Sequence, residues 1–251
     1  MIDIHTHLLP GVDDGSPSIA ASLPILEQFA ASGVEVVVCT PHLKASQAAT
    51  APHDRYREVF AELIAAAPAS PRLQLGWEIM LDVPGADLTD SRLTLGGSRA
   101  ALVEFAARSV PVAARDELAR IRASGVVPVV AHPERYRDCP LAEIAAWRAA
   151  GAVIQMDVPS IFGSQRLSTL AEAMLAHGLV DLFASDTHVD RRSLSFARGW
   201  LAEIAPADVV ELLVSENARR LLANEDVLPV PRIAVRRGMF QRLRALVLSR
   251  P

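Results

Sequence analysis

Five of the chain's seven histidines stand beside carboxylates, at places where short apolar runs end. His5 and His7 are two residues apart, and Asp186 and His188 repeat that spacing near the other end of the chain. Residues two apart on an extended strand point to the same face, so each pair can grip one ion. Asp13-Asp14 follows the first run and His42 follows Pro41. Glu78 and Glu104 close two further runs, and His132 opens His132-Pro133-Glu134-Arg135-Tyr136. Imidazole nitrogen combined with carboxylate oxygen suits Mn, Fe or Zn, and no cysteine ligand is implied. The candidate ligands are His5, His7, Asp14, His42, Glu78, Glu104, His132, Asp186 and His188. They exceed what one ion needs, so two or three divalent ions with bridging carboxylates are expected.

The remaining histidines read differently. His53 has no such company, and His177 precedes Gly178 at an expected helix end. A partial positive charge there suits the helix dipole. Cys39 lies inside an apolar run and reads as core. Neither Cys39 nor Cys139 has an arginine six positions later, so neither builds the phosphate loop of a cysteine-dependent phosphatase. Two cysteines make no disulfide framework, and a reducing cytoplasm is the expected compartment.

The elements that must position these side chains follow from the apolar pattern. Strand-like runs occupy Ile2–His7, Glu35–Thr40, Leu73–Glu78, Ala100–Phe105, Val126–Ala131, Ala152–Met156 and Leu179–Ser185. Between them, apolar residues recur at three- and four-residue spacing, as in Ile19, Leu23, Leu26 and Ala30, which predicts helices. Ser16-Pro17 reads as the cap and first turn of the first helix. Gly33, Gly125, Gly151 and Gly178 read as helix-closing residues. Strands alternating with helices predict a parallel α/β protein. Seven or so units in 251 residues fit a closed barrel, with the active site at the C-terminal strand ends. A doubly wound open sheet is the alternative, but no glycine-rich nucleotide fingerprint is present. The stretch 84–97 reads as a long loop.

Composition narrows the class. With 51% hydrophobic and 22% charged residues the chain reads as globular, not disordered. No apolar stretch approaches the ~18 residues of a membrane span, and the acidic, histidine-rich start MIDIHTHLLP is unlike a signal peptide. The net charge is −4, yet Arg232 to Pro251 holds six arginines and no acid, leaving 19 basic against 29 acidic groups elsewhere. An acidic body of this kind is not expected to bind nucleic acid. Residues 1–224 read as one catalytic domain and 225–251 as a basic, partly helical tail. The tail either contacts an acidic partner or lipid headgroups peripherally, or packs its apolar stripe on the body.

The segments MIDIHTHLLPGVDDG, TPH, GWEIML, ALVEF, PVVAHPERY, Gln155 to Gly163, ASDTH and ENARRLLAN together resemble the PHP family (polymerase and histidinol phosphatase). Within it the resemblance is closest to bacterial manganese-dependent protein-tyrosine phosphatases of capsule and exopolysaccharide loci. The resemblance implies a single distorted (β/α)7 barrel with a trinuclear site. It implies His5, His7, Glu78 and Asp186 on one ion, and Glu78, Glu104 and His132 on a second. Asp14, His42 and His188 would hold a third. It also implies arginines near the phosphate: Arg135, and either Arg191 or Arg192. The implied substrate is the phosphorylated tail of a tyrosine kinase that controls polysaccharide export. Metal-activated hydroxide would attack phosphorus directly, without a cysteinyl intermediate. Asp157, Val158 and Pro159 stand where relatives usually carry small polar residues, in a stretch expected to shape the substrate mouth. The other readings are a small-molecule phosphoesterase of the same family, acting on histidinol phosphate, a nucleotide or a sugar phosphate, and a non-catalytic metal-binding module.

Overall fold

β-Branched and apolar residues dominate the strands, because a pleated ribbon packed on both sides favours such side chains. The computed structural model describes the chain except for residues 107–109, 138, 163, 191 and 236–251. Its strands are β1 (Ile2–Thr6), β2 (Val36–Cys39), β3 (His42–Lys44), β4 (Arg72–Leu75), β5 (Glu78–Met80), β6 (Ala100–Glu104), β7 (Val127–Ala131), β8 (Val153–Asp157) and β9 (Leu182–Ala184). The helices are α1 (Ile19–Ala31), α2 (His53–Ala66), α3 (Ala114–Ala123), α4 (Leu141–Ala149), α5 (Val158–Phe162), α6 (Gln165–Ala176), α7 (Leu194–Leu201), α8 (Ala207–Glu211) and α9 (Asn217–Leu222).

The named strands pair in parallel throughout. They form a three-stranded sheet, β1-β2-β4, and a six-stranded sheet, β3-β5-β6-β7-β8-β9. All seven expected strand runs appear, but the second and third are each followed or interrupted by a break. β2 gives way to β3 across Thr40-Pro41, and β4 to β5 across Gly76-Trp77. Pro41 has no N–H to offer a ladder. Gly76 lies so close to Leu95 and Val38 that a Cβ there would sit 2.9 Å from Leu95 Cδ2 and 3.2 Å from Val38 Cγ1. Single hydrogen bonds span the breaks, from Gly76 N to Cys39 O (2.9 Å) and from Glu78 N to Pro41 O (3.1 Å). At the far side, β1 lies beside the segment after β9. Asp186 N donates to His5 O and His7 N to Thr187 O, both at 2.9 Å, and Thr6 bridges Thr187 in parallel.

Alternation along the strands separates two cores. Val37, Cys39, Ile79, Ala101, Val103, Val130, Ile154 and Phe183 join the large cluster that includes the helices. Ile2, Ile4, Val36, Val38, Ala100, Leu102, Val129, Val153 and Leu182 form a smaller one on the opposite face. Two residues further along, this second face turns polar: Glu104 follows Leu102, and Gln155 and Asp157 follow Val153. The alternation that fills the core therefore also delivers polar groups to the C-terminal strand ends.

Local details differ from the sequence reading in two places. The first helix begins at Ile19 with Ser18 as its cap, its hydroxyl accepting from Ala21 N. Ser16 instead donates its hydroxyl to Ser18 O and meets Ser22 Oγ at 2.6 Å. The stretch 84–97 is not plain loop; it holds short 3-10 turns at Ser91–Leu93 and Leu95–Gly97, with Leu93 and Leu95 buried. The four expected helix-closing glycines all have positive φ. His177 caps α6, with Nδ1 2.8 Å from Ala173 O.

After α9 the chain runs without helix or strand as far as Val235. Asn217 grips it, accepting from Leu228 N at 2.8 Å and donating to Leu228 O at 3.0 Å. Val230 and Ile233 are buried in the large core. The rest of the basic tail, with its expected helical part, lies outside the described residues. Among the described residues no helix is long and apolar enough to cross a membrane.

Candidate metal centre

The first strand carries His5 and His7 into the polar end, with a register irregularity between Asp3 and Thr6. Such irregularities re-aim side chains. A wrapping loop then fixes His7. Its Nδ1 meets Asp13 Oδ2 at 2.8 Å, its carbonyl accepts from Ser16 N at 2.8 Å, and Asp13 Oδ1 accepts from Gly15 N. Gly15 is required there, because a Cβ would fall 2.2 Å from His7 O and 2.3 Å from His7 Cβ. His5 is fixed by Gln155, whose Oε1 lies 3.0 Å from His5 Nδ1. An Nδ1–H donated outward leaves Nε2 with a free lone pair facing inward, the arrangement of a metal-ligating imidazole.

All nine candidate ligands meet. Four sets of ligand atoms lie within 4.8 Å of one another: His5, His7 and Asp186; His5, Glu78 and His132; His42, Glu78 and Glu104; and His7, Asp14, His42 and His188. The sets differ in detail from those the resemblance implies, since His5 also approaches Glu78 with His132, and His7 also joins the Asp14 group. Glu78 is central. Its Oε2 lies 3.2 Å from His5 Nε2, 3.2 Å from His7 Nε2 and 3.0 Å from His42 Nδ1, while Oε1 lies 2.9 Å from His132 Nε2. Yet Oε2 is buried and makes no hydrogen bond of good geometry. Lone pairs from several rings and carboxylates thus converge on shared points, as ligands of a cation do; this donor set fits divalent ions. Most of the cluster is buried, and it opens to solvent through Asp14 (71% exposed side chain) and His42 (41%).

The backbone is unusual at two of these residues. His132 (φ 36°) and Asp186 (φ 48°) both adopt the left-handed region, which costs free energy for residues other than glycine and concentrates at functional sites.

Electrostatics bind the cluster together. Burial alone would lower the His5 pKa, but the Glu78 and Asp186 carboxylates outweigh it and raise it. His7 is raised well above its usual value against the same burial, chiefly by its bond to Asp13. His132 is raised to about 10; burial opposes this, and Asp157 and Glu78 prevail. Burial works against ionisation of Glu78 too, yet the surrounding histidines hold its pKa well below the carboxylate range. Glu104, by contrast, is raised by burial and by the charge of Glu78.

Two arginines border the cluster. Arg135 Nη2 contacts Asp157 and donates to Asp186 Oδ2 at 2.5 Å. Arg192 Nη1 donates to Asp186 O at 2.6 Å, and its Nε lies 2.6 Å from Asp190 Oδ2. Arg191 lies outside the described residues. Both cysteines are buried and free, and burial pushes each thiol up to about 12. Neither offers a thiolate near neutral pH.

Four supporting residues escaped the sequence reading. Asp13 was visible as half of the Asp13-Asp14 doublet, but only the folded loop separates the residue that orients His7 from the one that faces the cluster. Gln155 and Asp157 carried the two-residue alternation that marks one strand face. Asp157 does not shape a mouth: it is fully buried at the end of β8. Val158 and Pro159 begin α5. Glu134 had no signal beyond its place in the motif; its Oε1 accepts from Asp157 N at 2.9 Å.

A family model described as capsular polysaccharide synthesis, CpsB/CapC, matches residues 1–223. Tyrosine-protein phosphatase YwqE of Bacillus subtilis (strain 168) is 27% identical, with 94% of this chain and 97% of that protein covered. Tyrosine-protein phosphatase CpsB of Streptococcus pneumoniae is also 27% identical, with 90% and 99% covered. A chain from the crystal structures of YwqE and CpsB, described as metal-dependent tyrosine phosphatases, superposes with a TM-score of 0.77 at 26% identity, covering 94% of this chain and all of that one. Dihydropyrimidinase from Brevibacillus agri, at 10% identity and a TM-score of 0.50 over 93% of this chain and 73% of its own, shares the fold alone.

Proposed function

Because the chain belongs to the CpsB/CapC family of capsular polysaccharide synthesis, we propose that it is a metal-dependent phosphomonoester hydrolase acting on phosphotyrosine in protein. The observation that carries the reading is Glu78: a buried carboxylate amid four imidazoles, in a cluster whose Asp186 is met by an arginine that reaches solvent. The assigned ligands are His5, His7, Asp14, His42, Glu78, Glu104, His132, Asp186 and His188, holding two or three ions, with Mn preferred over Fe or Zn. When bound, such ions supply positive charge and make hydroxide available near neutral pH.

The chain's own residues do the rest. Arg135, and Arg192 or Arg191, would donate N–H groups to the phosphoryl oxygens and offset charge that builds there. A tyrosine leaving group, with an ordinary pKa of about 10, needs less protonation than an alkyl alcohol. The protonated, buried thiols take no part. The proposed substrate is a phosphorylated tail of a cytoplasmic tyrosine kinase controlling capsular or exopolysaccharide synthesis, which the open side at Asp14 and His42 would admit. Residues 1–224 would form the catalytic domain as one distorted (β/α)7 barrel. Its support is that β2/β3 and β4/β5 read as broken single strands and that Thr6 bridges Thr187. The basic tail would carry any peripheral membrane contact.

The test is hydrolysis by chelator-stripped protein reloaded with Mn²⁺, across a phosphotyrosyl peptide, a phosphoseryl peptide, histidinol phosphate and a nucleotide monophosphate. Mn-dependent preference for the phosphotyrosyl peptide is expected. Preference for a small phosphate would keep the metal centre and overturn the substrate. No turnover with any metal would leave a metal-binding module.

A further inference from the structure

A fully buried carboxylate sits between the histidine side of the centre and its arginine. Asp157 Oδ1 accepts from Gln155 Nε2 at 2.8 Å, and Gln155 Oε1 in turn meets His5 Nδ1. Asp157 Oδ2 contacts Arg135 Nη2, and its backbone N–H is held by Glu134. The same Nη2 reaches Asp186 Oδ2. The resulting path, His5–Gln155–Asp157–Arg135–Asp186, starts and ends on candidate metal ligands. Asp157 is the member of this path that is neither a candidate ligand nor bonded to one.

The geometry of the guanidinium matters here. Both carboxylates engage one nitrogen, Nη2; no hydrogen bond from Nη1 or Nε appears among the described residues, and the side chain is 32% exposed. An arginine on a flexible stem loses rotamer freedom when it grips an anion; one already anchored at a single nitrogen has lost it beforehand. Asp186 alone is a poor anchor, because a carboxylate that also serves a cation shares its charge with it. Asp157, 0% exposed and braced by Gln155 and Glu134, is not among the candidate metal ligands.

From this, and resting on the phosphatase reading above, we infer that Asp157 is a positioning residue that anchors Arg135 by Nη2 and so holds its Nη1 donors for the phosphoryl group of the substrate. Asp157 touches neither substrate nor ion in this role.

The test is a double-mutant cycle on the metal-loaded, full-length protein. The variants are Asp157→Asn, Arg135→Ala and the pair, with inorganic phosphate as the probe and an aryl phosphate as the substrate. Asparagine keeps the bond to Gln155 and removes the charge. Thermal melting and bound-metal content are measured first; if Asp157→Asn does not fold, Asp157→Ser replaces it. Phosphate should bind about 10- to 100-fold more weakly to Asp157→Asn, the range for supporting partners of a site, with metal content unchanged. KM for the aryl phosphate should rise in step, and in the Arg135→Ala background the same change should cost less than about twofold, because groups acting as a unit are not additive. An equal loss in both backgrounds, a loss of bound metal, or unchanged or tighter phosphate binding would each overturn the inference. Phosphate binding without turnover by the wild type would overturn the phosphatase reading alone. Absence of phosphate binding by the wild type would overturn both.

Discussion

Gly15→Ala is a sharp steric test of how the first loop builds the centre. Its added methyl would fall 2.2 Å from His7 O, 2.3 Å from His7 Cβ and 2.9 Å from His7 C. None of these is the end of a flexible side chain, so no rotamer change relieves the clash. Ordinary contact begins near 3.4 Å, and the loop must therefore retreat by about 1 Å, an overpacking that costs about 1–3 kcal/mol. Retreat also stretches the bonds from Ser16 N to His7 O and from Asp13 to His7 Nδ1, which orient the ring. Loss of such support lowers metal affinity by about 10- to 100-fold. At roughly 2–4 °C per kcal/mol for a chain of this size, melting of the metal-loaded protein should fall by about 2–12 °C, and the metal titration should shift to higher concentration. Gly33→Ala is the control: Gly33 has positive φ but nothing within 4 Å of its absent Cβ, so it should lose stability alone. Unchanged melting and metal affinity in Gly15→Ala would refute the loop's role in aiming His7.

Other outcomes follow from the same geometry. His5→Ala or Asp186→Ala should lower turnover by about 100-fold or more while the far-ultraviolet circular dichroism spectrum stays native; near-normal rates in both would exclude the assigned ligands. Asp181→Ala removes a buried acid that receives Arg148 and Ile154 N beside a cavity of about 540 Å³ at the opposite strand ends. It should cost roughly 3 kcal/mol, the low end because Arg148 keeps some water, without changing metal stoichiometry by mass spectrometry. In chelated protein, His132 keeps its proton up to about 10 when folded but only to ~6.5 when unfolded, and Glu134 is raised to about 7 by burial. Raised groups give stability that is lost as pH climbs through the folded value. Melting should therefore fall from pH 6.5 to 9.5, and a rise over that interval would contradict the charge assignment.

Much of the centre was legible because strand periodicity and chemistry coincide. Two-residue spacing marked His5 with His7 and Asp186 with His188, and every candidate ligand except Asp14 and His188 lies within two residues of a strand end. What was not legible depends on which neighbour a polar side chain finds across the fold. Asp157 follows the same alternation whether it lines a mouth or braces an arginine, and only the approach of Arg135 from the β7 end distinguishes them. The strand breaks at Pro41 and Gly76 were equally hidden, since Leu95, which demands the glycine, is distant in sequence. Ser18 displaced Ser16 as the helix cap because Ser16 was taken by Ser22 in the interior.

The charge pattern explains how such a centre can fold before it is loaded. Glu78 and Asp186 are held ionised, their pKa values lowered against the effect of burial. The compensating charge comes from imidazoles whose pKa values are raised by Asp13, Asp157 and those same carboxylates, together with Arg135. Protons therefore occupy in chelated protein the electrostatic role that cations take when bound. Ligating imidazoles must surrender those protons, so loading should release protons into an unbuffered solution and tighten as pH rises. The stability of chelated protein changes in the opposite sense. The two pH dependences must cross, and calorimetric titration of Mn²⁺ in buffers of different ionisation enthalpy measures the number released. A value near zero at pH 7 would mean that the histidines are neutral beforehand and that arginines, not imidazoles, balance the carboxylates.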